Sequence, residues 1–212
     1  MNESKLREQI CLLAKSLYDR GLAHGSTGNI SVRCEDDGLL VTPTNSSFGF
    51  LDPAELTRFD RDGNQISGLK PTKEMPLHQA FYETRVAQTG AVVHLHSHYT
   101  VALSMMPDVD EDDLIPPITP YPIMKLGKVK LLPYFAPGDE AMGEAVRDLN
   151  GERSAVVLAN HGPVVASKDI FSAVFAMEEL EAAARLVLET RHNNPNMLTK
   201  EQIAALVAPF SN

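Results

Sequence analysis

The chain contains 212 residues with 28 acidic and 19 basic side chains, which gives a formal net charge of −9 at pH 7. General nucleic-acid binders and proteins that bind anionic membranes need a basic face, so this balance excludes both classes. The 43% of hydrophobic and 22% of charged residues are typical of a folded globular protein, and the length fits one domain over residues 1–212. The sequence contains neither a transmembrane run nor the apolar segment of a signal peptide, so we expect a soluble, cytoplasmic protein.

The first part of the chain is predicted to form a helix, a hairpin and a second helix. Leu6, Ile10, Leu13 and Leu17 share one stripe of a helix that Gly21 ends. Segments 30–33 and 39–42 flank a turn and are predicted to be antiparallel strands. Segment 51–69 has no regular pattern apart from a turn at 60–63. Thr72 is then placed to cap a helix whose first turn holds Glu74 and Pro76.

The remainder alternates between predicted strands and helices. Strands are expected at 91–96, 129–132, 154–159 and 163–166, and helices at 97–106, 139–149, 170–188 and 199–208. Segment 108–122 carries four prolines and is expected to be loop or edge structure. Because hairpin strands are mixed with helices, the pattern favours an α+β or three-layer α/β domain over a regular βαβ repeat.

A metal site is indicated by histidines at the end of the clearest strand. His94 and His96 are two residues apart, so a strand turns both side chains to one face and Leu95 to the other. Two imidazoles suit Zn²⁺ but make only half a site, and a polar surface is the alternative. His161 follows another apolar strand, and Glu74 can supply a carboxylate, which would complete a site with an open position for substrate.

The other histidines are given simpler interpretations. His98 competes with His96 as a ligand but is better explained as a helix-start residue or as a group outside the ligand set. His24, His78 and His192 are interpreted as surface or packing histidines.

Three polar stretches, 25–29, 42–47 and 70–74, each offer hydroxyls or amides near a turn. The third places Thr72 and Lys73 at a helix N-terminus, where backbone N–H groups bind phosphate well even in an acidic protein. Each stretch alone is explained as an ordinary turn with a cap. However, the third runs directly into Glu74, so a phosphate site and a metal would be neighbours.

These residues resemble the class II aldolase/epimerase family of fuculose-phosphate aldolase and ribulose-phosphate 4-epimerase. The matching motifs are Gly25-x-x-Gly-Asn-x-Ser31, Thr42-Pro-Thr44, Pro71-x-x-Glu74, Val92-Val-His-x-His96 and Asn160-His-Gly162. The resemblance implies a three-layer α/β/α fold with a mostly antiparallel central sheet. It also implies a homotetramer with active sites at subunit interfaces.

By motif position, the resemblance also implies site residues. The places of the zinc ligands fall on Glu74, His94, His96 and His161, and those of the phosphate pocket on Asn29, Thr44, Asn45, Thr72 and Lys73. Glu74 and Tyr121 match the catalytic acid/base and the mobile catalytic tyrosine, although without the resemblance Tyr121 is an aromatic plug in a loop. The chain departs from the aldolase pattern in having Asn45 in place of glycine and Lys73 in place of serine.

Several segments, among them 70–74, 119–121 and 133–139, look closest to the 3-oxo-tetronate 4-phosphate decarboxylase branch. The implied reaction forms dihydroxyacetone phosphate and CO₂ through a metal-stabilised enediolate, with one divalent ion per subunit, expected to be zinc. Lys73 would pair with either the phosphate or the departing carboxylate. The alternatives are a class II aldolase that cleaves a sugar phosphate such as fuculose 1-phosphate, and a non-enzymatic scaffold on this fold.

Overall fold

The computed structural model describes residues 2–207, which form one mixed sheet covered by helices on both faces. The strands are β1 (Asn29–Arg33), β2 (Leu39–Val41), β3 (Thr57–Phe59), β4 (Gln65–Ser67), β5 (Ala91–His94), β6 (Val129–Leu132), β7 (Ala155–Leu158) and β8 (Gly162–Ser167). The helices are α1 (Glu3–Asp19), α2 (Met75–Thr84), α3 (His98–Ser104), α4 (Pro120–Leu126), α5 (Ala141–Arg147), α6 (Ile170–Thr190) and α7 (Lys200–Val207). A 3₁₀ turn spans Phe48–Phe50.

The sheet has the strand order β4-β3-β2-β1-β5-β8-β7-β6. All neighbouring strands are antiparallel except β6 and β7, which are parallel. The three strands β1, β5 and β8 are therefore adjacent at the middle of the sheet, although they lie far apart in sequence.

Alternation along the central strands divides the core into two layers. On β5, Ala91 and Val93 pack with α1, α3 and α6, whereas Val92 packs with α2 and α5. A sheet with apolar side chains on both faces must be covered on both. The predicted three-layer α/β/α fold with a mostly antiparallel sheet is thus confirmed.

Most predicted elements are present, with differences at their ends. The hairpin of β1 and β2 and the strand pair of β7 and β8 form as predicted. The strands β3 and β4 lie in segment 51–69, where none was predicted, because each has three residues and β4 is fully exposed. The final helix reaches Val207, and residue 208 of its prediction lies outside the described residues.

Two helix starts differ from the prediction for the same reason. Helix α2 begins at Met75, so Glu74, and not Thr72, is its N-cap residue. Helix α4 begins at Pro120 inside the segment that was expected to be loop or edge. In both cases a proline lies at one of the first two helical positions, where its missing N–H breaks no intrahelical bond. In the part of the chain that the structure describes, no helix is long and apolar enough to cross a bilayer.

Candidate metal centre and anion pocket

The three central strands bring the metal-site candidates to one edge of the sheet. Asn29 on β1 lies directly opposite His94 on β5, and His94 is paired in turn with Val164 on β8. His161 occupies the turn immediately before β8. His96 follows the end of β5, two residues beyond His94. The register of the sheet therefore fixes which side chains meet.

The backbone turns at this edge are too tight for ordinary side chains. Asn160 has a φ of +57° in the turn that presents His161, a conformation that asparagine tolerates better than most residues. A Cβ on Gly162 would lie 2.1 Å from the carbonyl oxygen of Leu95. A Cβ on Gly28, where φ is +86°, would lie 2.9 Å from the carbonyl oxygen of His94. Gly28, before β1, and Gly162, at the start of β8, therefore both pack directly against the backbone of the segment that carries His94 and His96.

Glu74 reaches the same point from the other layer. It is the N-cap residue of α2, and its backbone N–H donates to Oγ1 of Thr72 at 3.2 Å. The Glu74 side chain does not cap its own helix but is buried against the sheet, where it accepts from Nδ2 of Asn29 on β1.

The four candidate ligands form a compact group, which we call the metal cluster: Glu74, His94, His96 and His161. One potential ligand atom from each lies within 4.8 Å of all the others. Oε1 of Glu74 is 3.3 Å from Nε2 of His161, and Oε2 is 3.4 Å from Nε2 of His94. Three imidazoles and one carboxylate are a donor set that suits Zn²⁺ and similar divalent ions.

The tautomer of His94 suits it to bind a metal through Nε2. Its Nδ1 lies 2.9 Å from the carbonyl oxygen of Pro163, which can only accept, so Nδ1 carries the proton. Burial lowers the pKa of His94, so the ring is neutral and Nε2 keeps a free lone pair. Burial and the neighbouring His94 and His161 also lower the pKa of His96, to about 3. A backbone contact that fixes the tautomer is typical of metal-bound histidines.

Buried ring nitrogens without a well-formed hydrogen bond indicate that the cluster has room for an ion. Within residues 2–207, the Glu74 carboxylate is the only group near Nε2 of His94 and Nε2 of His161, and neither nitrogen makes a well-formed hydrogen bond. Buried polar atoms are nearly always paired, so two ring nitrogens that face one carboxylate without a good hydrogen bond need an explanation. A divalent cation between them would bind one nitrogen of each ring. The residues present therefore fit the metal that the resemblance implies.

Glu74 is the negative charge at the centre of the cluster. Burial opposes its ionisation, but His94, His161 and the Asn29 amide outweigh burial and hold its pKa well below the usual range. Nδ2 of Asn29 donates to Oε2 of Glu74 at 2.7 Å. The carboxylate is therefore ionised, as both metal ligation and acceptance of a proton require.

A cavity of about 190 Å³ opens beside the cluster, and we call it the anion pocket. Five residues that line it are those in the predicted phosphate places: Asn29, Thr44, Asn45, Thr72 and Lys73. Glu74 and His96 line the same cavity. The second and third polar stretches meet here because Pro43 pairs with Pro71 in an isolated bridge and the Thr44 N–H donates to the Lys70 carbonyl at 3.0 Å. The first stretch joins them next to β1, where the Ile30 N–H donates to Oγ1 of Thr42 at 3.0 Å.

The two positions that depart from the aldolase pattern, Asn45 and Lys73, both line the anion pocket. Asn45 has a φ of +57°, so a glycine or an asparagine is suited to this position. Lys73 is exposed, and its ammonium has no hydrogen bond or ion pair with any residue in the range 2–207. Gly138 packs on Lys73, since a Cβ there would lie 3.2 Å from its Cβ. The wall at Pro137 and Gly138 was not predicted as part of the site.

The remaining candidates lie in different surroundings. Tyr121 is on the first turn of α4 with 57% of its surface exposed, and it does not line the anion pocket. His98 is the first residue of α3, as its helix-start interpretation predicts, and its ring stacks on His24 at 5.1 Å. His192 is exposed. His78 is fully buried in a polar environment that the sequence analysis missed, although its spacing of four from Glu74 was a usable signal.

Comparison with known proteins identifies the family. Residues 8–188 match the family described as Class II Aldolase and Adducin N-terminal domain. The chain belongs to this family. A 3-oxo-tetronate 4-phosphate decarboxylase of Cupriavidus necator is 46% identical over 184 residues, which cover 87% of this chain and 84% of that protein.

Solved structures of this family superimpose closely on the chain. The Escherichia coli protein YgbL aligns with a TM-score of 0.93 at 41% identity, covering 96% of this chain and 98% of that one. An L-fuculose 1-phosphate aldolase aligns with a TM-score of 0.86 at 25% identity, covering 100% and 99%. The predicted family resemblance and the lyase class are thereby confirmed. Class II aldolases use a divalent metal, and the metal cluster could hold one.

Proposed function

We propose that this class II aldolase-family enzyme decarboxylates 3-oxo-tetronate 4-phosphate to dihydroxyacetone phosphate and CO₂. The observation that carries the proposal is the shared cavity: Glu74 and His96 of the metal cluster line the same space as the anion pocket. A substrate with a phosphate at one end and two adjacent oxygens beside its carboxylate matches this arrangement. The name of the 46% identical relative supports the same reaction.

The proposed metal ligands are Glu74, His94, His96 and His161, with zinc as the expected ion. When bound, a divalent cation supplies Lewis-acid stabilisation of the negative charge that develops on the substrate oxygens. The protein contributes a pre-formed donor set, because the His94 tautomer is fixed by Pro163 and the Glu74 carboxylate is held by Asn29.

The proposed catalytic residues are Glu74 and Tyr121. In the reaction, the bond between the carboxylate carbon and its neighbour breaks, CO₂ leaves, and the electron pair stays on the neighbouring carbon. The hydroxyl of Tyr121 would donate the proton that this carbon then takes, and solvent would reprotonate the phenolate. Glu74 would ligate the metal at rest and act as acid or base during turnover.

The proposed anion pocket would bind the phosphate through Asn29, Thr44, Asn45, Thr72 and Lys73. Hydroxyls, amides and one ammonium with no protein partner can pair with a phosphate while the rest of the surface stays acidic. Lys73 would meet either the phosphate or the carboxylate that departs.

A homotetramer with shared active sites would bring Tyr121 to the metal of a neighbouring subunit. The exposed position of Tyr121 on α4 supports this proposal, since its ring has little contact with its own protomer. The single domain over residues 1–212 and the cytoplasmic location stay predictions.

A class II aldolase is the second candidate, since the same donor set can stabilise the charge left when an aldehyde departs. The close superposition on L-fuculose 1-phosphate aldolase favours keeping it. A non-enzymatic scaffold is disfavoured by the buried ring nitrogens of His94 and His161, which lack a well-formed hydrogen bond within residues 2–207 and cost stability without a metal.

A coupled assay distinguishes these candidates. The enzyme, loaded with zinc, is offered the L and D forms of 3-oxo-tetronate 4-phosphate and, in parallel, L-fuculose 1-phosphate. We expect dihydroxyacetone phosphate and CO₂ in equal amounts from one of the first two. Release of an aldehyde from the third, without CO₂ from the others, would identify an aldolase. No reaction with any substrate at full metal occupancy would contradict both enzymes.

A further inference from the structure

A row of buried polar side chains runs between helix α2 and strand β1, behind the metal cluster. Glu74, His78 and Tyr82 are four residues apart and share one stripe of α2, and Asn29 and Ser31 share one face of β1. All five are buried. Their hydrogen bonds alternate between helix and strand from Glu74 to Tyr82, and we call this row the polar zipper.

The donor and acceptor of each hydrogen bond in the row can be assigned by starting from the ionised carboxylate of Glu74. The Glu74 carboxylate can only accept, so Nδ2 of Asn29 faces it at 2.7 Å and Oδ1 faces the other way. Oδ1 lies 2.5 Å from Nε2 of His78. Since an amide oxygen also only accepts, Nε2 of His78 must carry a proton.

The second half of the polar zipper is fixed in the same way. Burial lowers the pKa of His78 to about 3, so the ring is neutral and Nδ1 is an acceptor. Ser31 Oγ, at 2.7 Å from Nδ1, must donate its proton to it. The Tyr82 hydroxyl, 3.0 Å from Oγ, then donates to Ser31. Every bond in the row points from Tyr82 towards Glu74.

A structural role alone does not require this row, because apolar side chains of similar size would pack between a helix and a sheet at lower cost. Burying polar groups is unfavourable unless each is paired, and half-satisfied networks are strongly destabilising. The arrangement instead has a local consequence at Asn29. With Oδ1 held by His78, Nδ2 is the end of the amide that meets Glu74, where it uses one of its two N–H bonds, and Asn29 also lines the anion pocket.

We infer that His78, supported by Ser31 and Tyr82, is a positioning residue that locks the Asn29 amide and thereby couples the anion pocket to Glu74. If the amide rotated by 180°, Oδ1 would face the Glu74 carboxylate, and both are acceptors. The same rotation would turn an oxygen instead of an N–H towards a bound anion. The inference rests on the proposed function in taking Asn29 as a contact of the substrate phosphate.

The first test reads the hydrogen-bond direction without any variant, metal or substrate. In ¹⁵N-labelled, metal-free protein, two-bond ¹H–¹⁵N correlation spectra identify the tautomer of each histidine. We expect His78 to be neutral with its proton on Nε2 from pH 5 to pH 8. A proton on Nδ1, or a charged ring in this range, would overturn the inference even if the enzyme is active.

The second test compares two replacements of similar size. His78→Gln can still donate to Oδ1 of Asn29, whereas His78→Leu cannot. Affinities for Co²⁺ and, separately, for inorganic phosphate are measured by calorimetry, after circular dichroism has established that each variant is folded. We expect His78→Leu to weaken both by at least about tenfold, the usual scale for groups that orient ligands, and His78→Gln to stay within about threefold of wild type.

The outcomes separate the inference from the proposed function. Equal losses in His78→Gln and His78→Leu would overturn it, since packing alone would then explain the position. If the wild type does not bind inorganic phosphate, the proposed anion pocket fails, and the tautomer and the Co²⁺ affinities still decide whether His78 positions Glu74 through Asn29. A His78→Leu chain that does not fold leaves the tautomer measurement as the deciding result.

Discussion

The metal cluster and the anion pocket share one cavity but are built from different parts of the fold. The cluster takes its histidines from the ends of paired strands, where the sheet register and a backbone carbonyl hold them. Apart from Asn29 on β1, the proposed phosphate-binding side chains of the pocket come from turns and loop segments, and its only cation among the lining residues, Lys73, is exposed and unpaired within residues 2–207.

This difference predicts how each region responds to change. In the cluster, Glu74, His94 and His161 are buried and His96 is half-buried, and all four would share one ion, so removal of one ligand weakens the hold of the rest on it. In the pocket several hydroxyls and amides contribute side by side, so the loss of one is partly compensated. We therefore expect all-or-none effects from the cluster and graded effects from the pocket.

The largest effect is expected for His161→Ala. In residues 2–207 the ring of His161 faces only the Glu74 carboxylate, at 3.3 Å, so its removal should leave the fold intact while it eliminates one of the four proposed ligands. We expect metal content to fall below about a tenth of wild type and turnover to fall by at least about 10³, since a Lewis-acid metal contributes several kcal/mol. Elemental analysis and the coupled assay measure the two quantities.

His94→Ala and His192→Ala extend this measurement. His94→Ala also removes the contact with the Pro163 carbonyl, so it should lose metal and some stability together. His192 is exposed and serves as the control, with metal content as in wild type. Full occupancy in the His94 and His161 variants would refute the ligand assignment.

A second large effect is expected for Tyr121→Phe, which keeps the ring and removes only the hydroxyl. Turnover should fall by roughly 10²–10⁴, the usual contribution of a general acid, with metal content and substrate affinity largely unchanged. Because Tyr121 is exposed on α4, mixed oligomers of Tyr121→Phe and His94→Ala subunits should regain part of the activity. Normal turnover of Tyr121→Phe would exclude its catalytic role, and no recovery in verified mixed oligomers would assign it to its own subunit.

The contrast between the two regions also explains what the sequence could predict. The spacing of His94 and His96 follows from strand periodicity. His161 was a candidate from its turn after an apolar strand, and Glu74 from its place in the first turn of a helix. The resemblance then gave all four the ligand places. That β1, β5 and β8 are neighbours does not follow from local pattern, because strand order depends on contacts between residues that lie 59 or more positions apart in the sequence.

The sequence analysis missed the features that depend on contacts between distant segments of the chain. The wall at Pro137 and Gly138 belongs to segment 133–139, for which the resemblance implied no site residue, and it joins the pocket through packing on Lys73. His78 lies four residues from both Glu74 and Tyr82, so the three share one side of the helix. That this side faces polar residues is seen only once β1 is in place, because Asn29 and Ser31 on β1 contact His78. The short strands β3 and β4 are specified by pairing rather than by hydrophobic alternation.

A moderate effect is expected for Lys73→Ala in the anion pocket. A hydrogen bond to a charged group is worth roughly 1.5–3 kcal/mol, so substrate use should weaken by at least about tenfold. The nearby exposed Lys70→Ala is the matched control, because only the backbone of Lys70 contacts the pocket segments.

Affinity for inorganic phosphate then shows which group Lys73 meets. Weaker phosphate binding indicates the phosphate, whereas unchanged phosphate binding with slower decarboxylation indicates the carboxylate. Wild-type behaviour in both would remove Lys73 from the site.

The smallest effect is expected in the acid stability of the metal-free protein. It concerns His78, which contacts Asn29 next to both the metal cluster and the anion pocket. His78 faces Asn29 and Ser31, with His94 and Glu74 close enough to influence it, and burial lowers its pKa from 6.5 to about 3. Between these values the unfolded chain binds a proton at this position and the folded chain does not, so stability must fall as the pH falls from about 6.5 towards 3. Glutamine at position 78 keeps a donor for Asn29 but cannot titrate.

Urea unfolding of the metal-free wild type and of His78→Gln at pH 7, 6, 5 and 4 measures this contribution. The other buried histidines of the metal cluster remain in both proteins, so the difference between the two stability curves isolates position 78. We expect the wild type to lose about 1 kcal/mol more than the variant between pH 6 and pH 5, since one proton per molecule corresponds to about 1.4 kcal/mol per pH unit. Parallel curves would mean that His78 takes up its proton in the folded state as readily as in the unfolded chain. In that case the ring would be charged below about pH 6.5, and there Nδ1 could not accept from Ser31.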